Sequence, residues 1–145
     1  MPCAEFIDTN FWVYAHLEDP HDPKCAVAWQ LLDDLAAPYV SAQMIAEYFN
    51  VIRREGREDN WSTANIELML QQCRVQPLDR KVVHGALVIR RRYRFSYWDC
   101  QILAAALQAS CNLLYTEDLQ HGQTIEGIRV VNPFVSGAEA HGQPG

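Results

Sequence analysis

No stretch of this chain approaches the ~20 consecutive apolar residues that a membrane span needs. Its first residues, MPCAEFID, lack the basic region and apolar run of an export signal. These two absences set the expectation of a cytoplasmic protein with no membrane contact. There is also no C-x-x-C. The five cysteines, Cys3, Cys25, Cys73, Cys100 and Cys111, are odd in number and scattered, which argues against a disulfide framework or a thiolate zinc site. They read as small hydrophobes in a reducing compartment. His16, His21, His84, His121 and His141 show no ligand-like spacing, and all are expected at the surface. Lysine is scarce. Only Lys24 and Lys81 occur, and neither follows the late strands, which argues against a phosphoacceptor domain that needs a switch lysine there. The net charge of −6 argues against nucleic-acid binding by bulk charge alone.

What remains is an ordinary globule, 49% apolar and 21% charged. A length of 145 residues predicts one domain, placed at 1–135, and the small polar segment SGAEAHGQPG predicts a loose tail at 136–145. Short apolar strands alternate with helices along that domain. AEFID is the first strand. Asp22 and Pro23 open a helix whose stripe is Ala28, Leu31, Leu32 and Leu35, and Pro38 ends it. After YV, Ser41 caps AQMIAEYFNVIRR. STANIELMLQQC places Ile66, Met69, Leu70 and Cys73 on one helical face. RVQPL is a strand weakened by its proline, Asp79 caps RKVVHGALVIRRRY, and NLLYT and IRVV complete the strands. This alternation indicates an α/β fold with a mainly parallel sheet.

The segment FSYWDCQILAAAL poses a question. Trp98, Ile102, Ala105 and Ala109 recur at helical spacing, with Leu103 and Leu107 beside them, yet Asp99 sits in the first turn. Ser96 and Asp99 match a capping box, a purely structural reason for the acid. Three other acids change the weighing. Asp8 ends the first strand, Asp118 lies three residues beyond Tyr115, and Glu47 falls in the second turn of the helix after YV. In open α/β sheets, ligands sit beyond the carboxyl ends of the strands, where all four acids are placed. Glu47 has Met44 and Val51 as helical neighbours and no cation at i+4, so it must find a distant base, shift its pKa or bind a cation. Unit charges ~4 Å apart repel by about 4 kcal/mol at an effective dielectric of 20. A cluster of carboxylates with neither thiolate nor imidazole therefore points to Mg²⁺ or Mn²⁺ and to phosphoryl chemistry.

FIDTNFWVYA, SAQMIAEYFNVIRR, FSYWDCQILAAAL and LLYTEDLQHG, in this order, resemble the four signature segments of PIN domains, and more narrowly those of VapC-type toxins. The resemblance covers about residues 4–135. It implies a three-layer fold with a five-stranded, mainly parallel sheet between helices, and a metal-dependent endoribonuclease using Mg²⁺ or Mn²⁺. It places the catalytic and metal-binding acids at Asp8, Glu47, Asp99 and Asp118. Asn10 and Thr116 fall at supporting polar positions, with Thr9 between the first pair, and Glu117 is an additional acid. It further implies an RNA substrate, a neutralising antitoxin and a homodimer. Arg90, Arg91, Arg92 and Arg94 then become candidates for holding the RNA backbone. Tyr93, Tyr97 or Trp98 offer rings for base stacking, although core packing is the expectation for Trp98. The alternative is a catalytically silent PIN-fold protein that binds RNA or regulates.

Overall fold

A computed structural model describes residues 4–135 of the chain; Cys3, His141 and the expected tail at 136–145 lie outside them. In chain order the elements are β1 (Glu5–Ile7), α1 (Thr9–Leu17), α2 (Pro23–Asp34), β2 (Tyr39–Ser41), α3 (Ala42–Arg54), α4 (Asp59–Gln72), β3 (Arg74–Gln76), α5 (Arg80–Arg92), α6 (Tyr97–Gln108), β4 (Leu113–Tyr115), β5 (Thr124–Ile125) and β6 (Ile128–Val131). The strands form one sheet in the order β3-β2-β1-β4-β6-β5. β3, β2, β1, β4 and β6 are parallel, as expected of a five-stranded sheet. The sixth strand, β5, was not legible in the sequence and joins antiparallel to β6. Two residues connect that hairpin, Glu126 and Gly127, both at positive φ (50° and 86°), the backbone sign that matches the twist of a tight hairpin.

Phe6 and Ile7 point to opposite faces of β1, and both are wholly buried. Both faces of the sheet are therefore covered, which defines three layers. α1 packs against both α2 and α3, α3 packs against α4, and α5 pairs with α6. Because strand order runs outward from β1 through β2 to β3 and then crosses to β4, right-handed connections put these two helix groups on opposite faces. No described helix is long and apolar enough to cross a membrane.

The capping residues act as read from the sequence. Asp22, Ser41, Asp79 and Ser96 each accept a backbone N–H in the first turn of their helix. α2 buries Ala28 and packs Leu31, Leu32 and Leu35 against the core. β3 takes the edge position that the proline in RVQPL allows. Four side-chain expectations need correction. Leu70 is 51% exposed: of the face expected on α4, which begins at Asp59, Met69 and the following Cys73 are buried and Ile66 half-buried, while Leu70 faces solvent. His16 is not a surface residue: it packs against Trp12, Tyr48 and Trp61, and burial lowers its pKa to about 4. His121 is half-buried and accepts the Asn132 N–H. Trp98 is 51% exposed rather than part of the core, since α6 buries the run from Cys100 to Ala106 and leaves its first turn outside.

α5 and α6 approach closely at Gly85, where an added Cβ would stand 3.2 Å from that of Ala104. Gly85→Val, which adds three carbons at this contact, is expected to lower stability by about 1–3 kcal/mol through overpacking. Urea denaturation followed by circular dichroism measures it, and an unchanged midpoint would show that the two helices separate freely.

Candidate active site

Strand order reverses between β1 and β4, so the crevice of this sheet lies beyond the carboxyl ends of those two strands. Asp8 follows β1 directly, and Thr116 follows β4. Asp8 is 4% exposed. Its Oδ1 accepts the Thr9 backbone N–H at 2.7 Å, which also makes it the N-cap of α1, and its Oδ2 accepts the Thr116 hydroxyl at 2.9 Å. The same Thr116 oxygen accepts the Asp118 backbone N–H at 3.1 Å. One hydroxyl therefore ties the ends of β1 and β4 to the loop that carries Asp118. Burial pushes the Asp8 carboxyl up to about 7; the Thr116 hydroxyl opposes this, and the Asp118 charge adds to it.

Asp99 is half-buried in the first turn of α6, and the Ser96 hydroxyl accepts its backbone N–H at 3.1 Å. Burial raises its pKa, Ser96 opposes, and the charge of Asp118 again raises it. Asp118 thus acts electrostatically on both Asp8 and Asp99. It is itself exposed.

Glu47 reaches the same edge from α3. Gln43 Nε2, one turn earlier, donates to its Oε1 at 3.0 Å. The Thr9 hydroxyl shares its proton between Met44 O at 3.3 Å and Glu47 Oε2 at 3.4 Å. The sequence offered a distant base, a shifted pKa or a bound cation for this carboxylate; neutral donors supply a fourth solution. Gln43 is in turn bonded by Gln101 of α6. Gln43 and Gln101 are buried, and neither stood out in the sequence. A glutamine four residues before Glu47 was the available signal for the first; nothing local marked the second.

Glu117 belongs to a different group. Asn10 Nδ2 (3.2 Å) and the Tyr14 hydroxyl (2.8 Å) bond one of its oxygens, and Lys24 Nζ bonds the other at 2.8 Å. Asn10 therefore holds Glu117 and not Asp8. Lys24, raised in pKa by Glu117, also lies over the Tyr14 and Phe134 rings.

The arginines divide in the same way. Arg90 donates to the Phe95 carbonyl, and Arg92 pairs with Glu126. Arg91 and Arg94 are exposed, and Arg90 through Arg94 line an open concavity at the α5–α6 corner. A cavity of about 330 Å³ lined by Trp12, Trp29, Leu35 and Gln72 lies at the entries to β2 and β3, the opposite edge from the acids.

The donor set suits a hard divalent cation. The charge of Asp118 acts on both Asp8 and Asp99, and Lys24, the base bonded nearby, is committed to Glu117. Among the described residues no three His, Cys, Asp or Glu side chains converge closely enough to enclose an ion as they stand. Asp118 is exposed and Asp99 half-buried, so either can change rotamer without moving a strand.

A three-layer parallel sheet with carboxylates gathered at its switch point defines the class of protein in which comparisons have meaning. The PIN domain model matches residues 6–125, and the chain belongs to the PIN domain family. No curated protein matches it in sequence. Among solved structures it is similar to VapC20 of Mycobacterium tuberculosis, described as a toxin that cleaves the sarcin-ricin loop. Identity is 17%, the TM-score 0.66, and coverage 87% of this chain and 99% of that one. A toxin-antitoxin complex from Klebsiella pneumoniae shares 17% identity at a TM-score of 0.70, covering 90% of this chain and 98% of that one. FitAcB from Neisseria gonorrhoeae shares 22% at 0.60, with coverage of 90% and 98%.

The raised pKa of Asp8 fixes the sign of a pH effect. Its folded value lies above the unfolded ~3.9, so without a cation its ionisation opposes folding. That opposition is complete above about pH 7 and is relieved as pH falls toward 4. Asp8→Asn is therefore expected to stabilise the metal-free protein at pH 8 by roughly 1–3 kcal/mol, and to have little effect near pH 4. Thermal melts in chelator at both pH values measure the difference; destabilisation at pH 8 would contradict the assignment.

Proposed function

We propose that this chain is a metal-dependent endoribonuclease of the toxin type, neutralised by a cognate antitoxin. The observation that carries the reading is the meeting of Asp8 and Asp118 across the β1–β4 switch point, with Asp99 within the electrostatic reach of Asp118 and, among the described residues, no base paired with any of the three. Family membership supports the nuclease class. The toxin titles of structures with the same fold support the partner.

In this reading Asp8, Asp99 and Asp118 hold Mg²⁺ or Mn²⁺, with Glu47 beside them. Bound there, the cation supplies Lewis-acid polarisation of a phosphodiester and offsets charge developing at phosphorus. The protein's own groups do the rest. The Thr9 N–H and the Thr116 hydroxyl keep both Asp8 oxygens in place, so the carboxylate needs no reorganisation when substrate arrives. Glu47, oriented by Gln43 and Thr9, is aimed to accept a hydrogen bond from the attacking water. Glu117 stays outside the reaction because Lys24 already neutralises it. A homodimer acting in the cytoplasm completes the proposal.

The test is cleavage of a labelled RNA with Mn²⁺ or Mg²⁺, for the natural chain and for Asp8→Asn and Asp99→Asn. Each substitution is expected to reduce cleavage by about a hundredfold or more, the order of removing one preorganised charge-stabilising group. Chelator is expected to abolish it, and the same variants to relieve growth arrest on expression. Undiminished cleavage in chelator or in both variants would overturn the proposal.

A further inference from the structure

Trp98 is 51% exposed, and its neighbour Tyr97 is 37% exposed, in a helix that buries every residue from Cys100 to Ala106. A single exposed ring is ordinary on a protein surface. The surroundings of this one are not. It stands one residue before Asp99, in the first turn of α6, and four residues after Arg94, where α5 hands over to α6. Arg90 through Arg94 contribute four guanidinium groups and no carboxylate to one open concavity, in a chain whose net charge is −6. Arg90 and Arg92 are committed to the Phe95 carbonyl and to Glu126. Among the described residues, Arg91 and Arg94 have no carboxylate partner.

We propose that this corner is a platform for an unpaired stretch of RNA, with one base stacked on the Trp98 indole and the adjoining phosphates held by Arg91 and Arg94. The inference rests on the nuclease reading and names the surface that seats the strand beside its acids. Three observations select this occupant. The guanidinium groups require an anion of several charges, which an RNA backbone provides. The indole offers a π-face of the kind on which unpaired bases stack, whereas a base inside a duplex has both faces already covered. The position beside Asp99 then feeds the next phosphate of the strand toward the acids at the switch point. An acidic peptide would satisfy the arginines, but it would bring further carboxylates against Asp99 and Asp118.

The experiment measures binding of a labelled single-stranded RNA dodecamer and of a blunt duplex of the same length, in chelator so that nothing is cut. It compares the natural chain, Trp98→Ala and Trp98→Phe, each with its melting temperature and its mass in solution. Trp98→Ala is expected to weaken the single strand about tenfold, the size of one stacked base. Duplex binding and melting temperature should be unchanged, and Trp98→Phe should remain within about threefold of the natural chain. Equal binding by Trp98→Ala and the natural chain would overturn the platform, as would an equal loss on duplex and single strand. A change in solution mass on substitution would also overturn it, by showing that Trp98 seats a second protein chain. The two readings fail separately. Cleavage with no effect of Trp98→Ala on binding removes the platform alone, and Trp98-dependent binding without cleavage by the natural chain removes the nuclease reading alone. A natural chain that binds neither RNA removes the platform, and cleavage with Mn²⁺ or Mg²⁺ then decides the nuclease reading separately.

Discussion

An aspartate buried at the centre of a sheet edge, hydrogen-bonded on both oxygens yet neutralised by nothing, is the constraint on which the rest of this structure turns. Asp8 can lie there only because β1 is the middle of the five parallel strands, with Phe6 and Ile7 buried on its opposite faces, and because β4 delivers Thr116 to its far oxygen. Hydrogen bonds from a backbone N–H and a hydroxyl favour the ionised form, but they do not outweigh the desolvation of a carboxylate. The chain holds in place a carboxylate whose ionisation its surroundings disfavour, which a bound cation, as proposed, would reverse. Structural stability alone would be better served by a neutral amide or an apolar side chain at this position.

The contrast with Glu117 shows that this is a matter of placement and not of cation shortage. Glu117 is next to Asp118 in sequence, yet it turns the other way and collects Lys24, one of only two lysines, together with Asn10 and Tyr14. Neutral donors serve the acids that face the crevice, and a cation serves the acid that faces away. Gln101, Gln43 and Thr9 extend the neutral network across three helices, so that Glu47 is oriented without losing its charge to a base. A lysine or arginine in place of any of them would fill the space with the wrong sign.

Much of this was legible in sequence, for identifiable reasons. Helix starts were visible because Asp22, Ser41, Asp79 and Ser96 bind the first-turn N–H groups through local geometry that a few residues determine. The parallel sheet was visible because strands too short and apolar to stand alone were spaced by helices. What escaped depends on contacts between distant segments. The β5–β6 hairpin rests on a two-residue turn at Glu126 and Gly127 beside a strand of only two residues. Trp98 fits the apolar stripe of α6 by spacing, and only the position of that helix end decides that it faces solvent. His16 looked like a surface residue because no local pattern announces that α1 will lay it between Tyr48 and Trp61. The Gln43–Gln101 pair joins residues 58 apart in sequence.

The acid that seemed out of place in a greasy helix is explained by the direction in which helices run. Helices that leave or enter parallel strands on this topology point their amino ends at the carboxyl edge of the sheet. α1 begins at Asp8, α3 at Ser41, and α6 carries Asp99 in its first turn before running back toward β4. Each amino end contributes about half a positive charge to the same crevice. Two of the four acids, Asp8 and Asp99, thus sit where helix dipoles favour a carboxylate, which lowers the cost of gathering them without fixing any one partner. Dipoles are weaker than a lysine and do not occupy space, so they leave the crevice negative enough to attract a cation. They also leave donors that suit a phosphate once that cation is present. Ser96 can therefore be the cap of α6 while Asp99, three residues on, belongs to the cap and to the crevice at once.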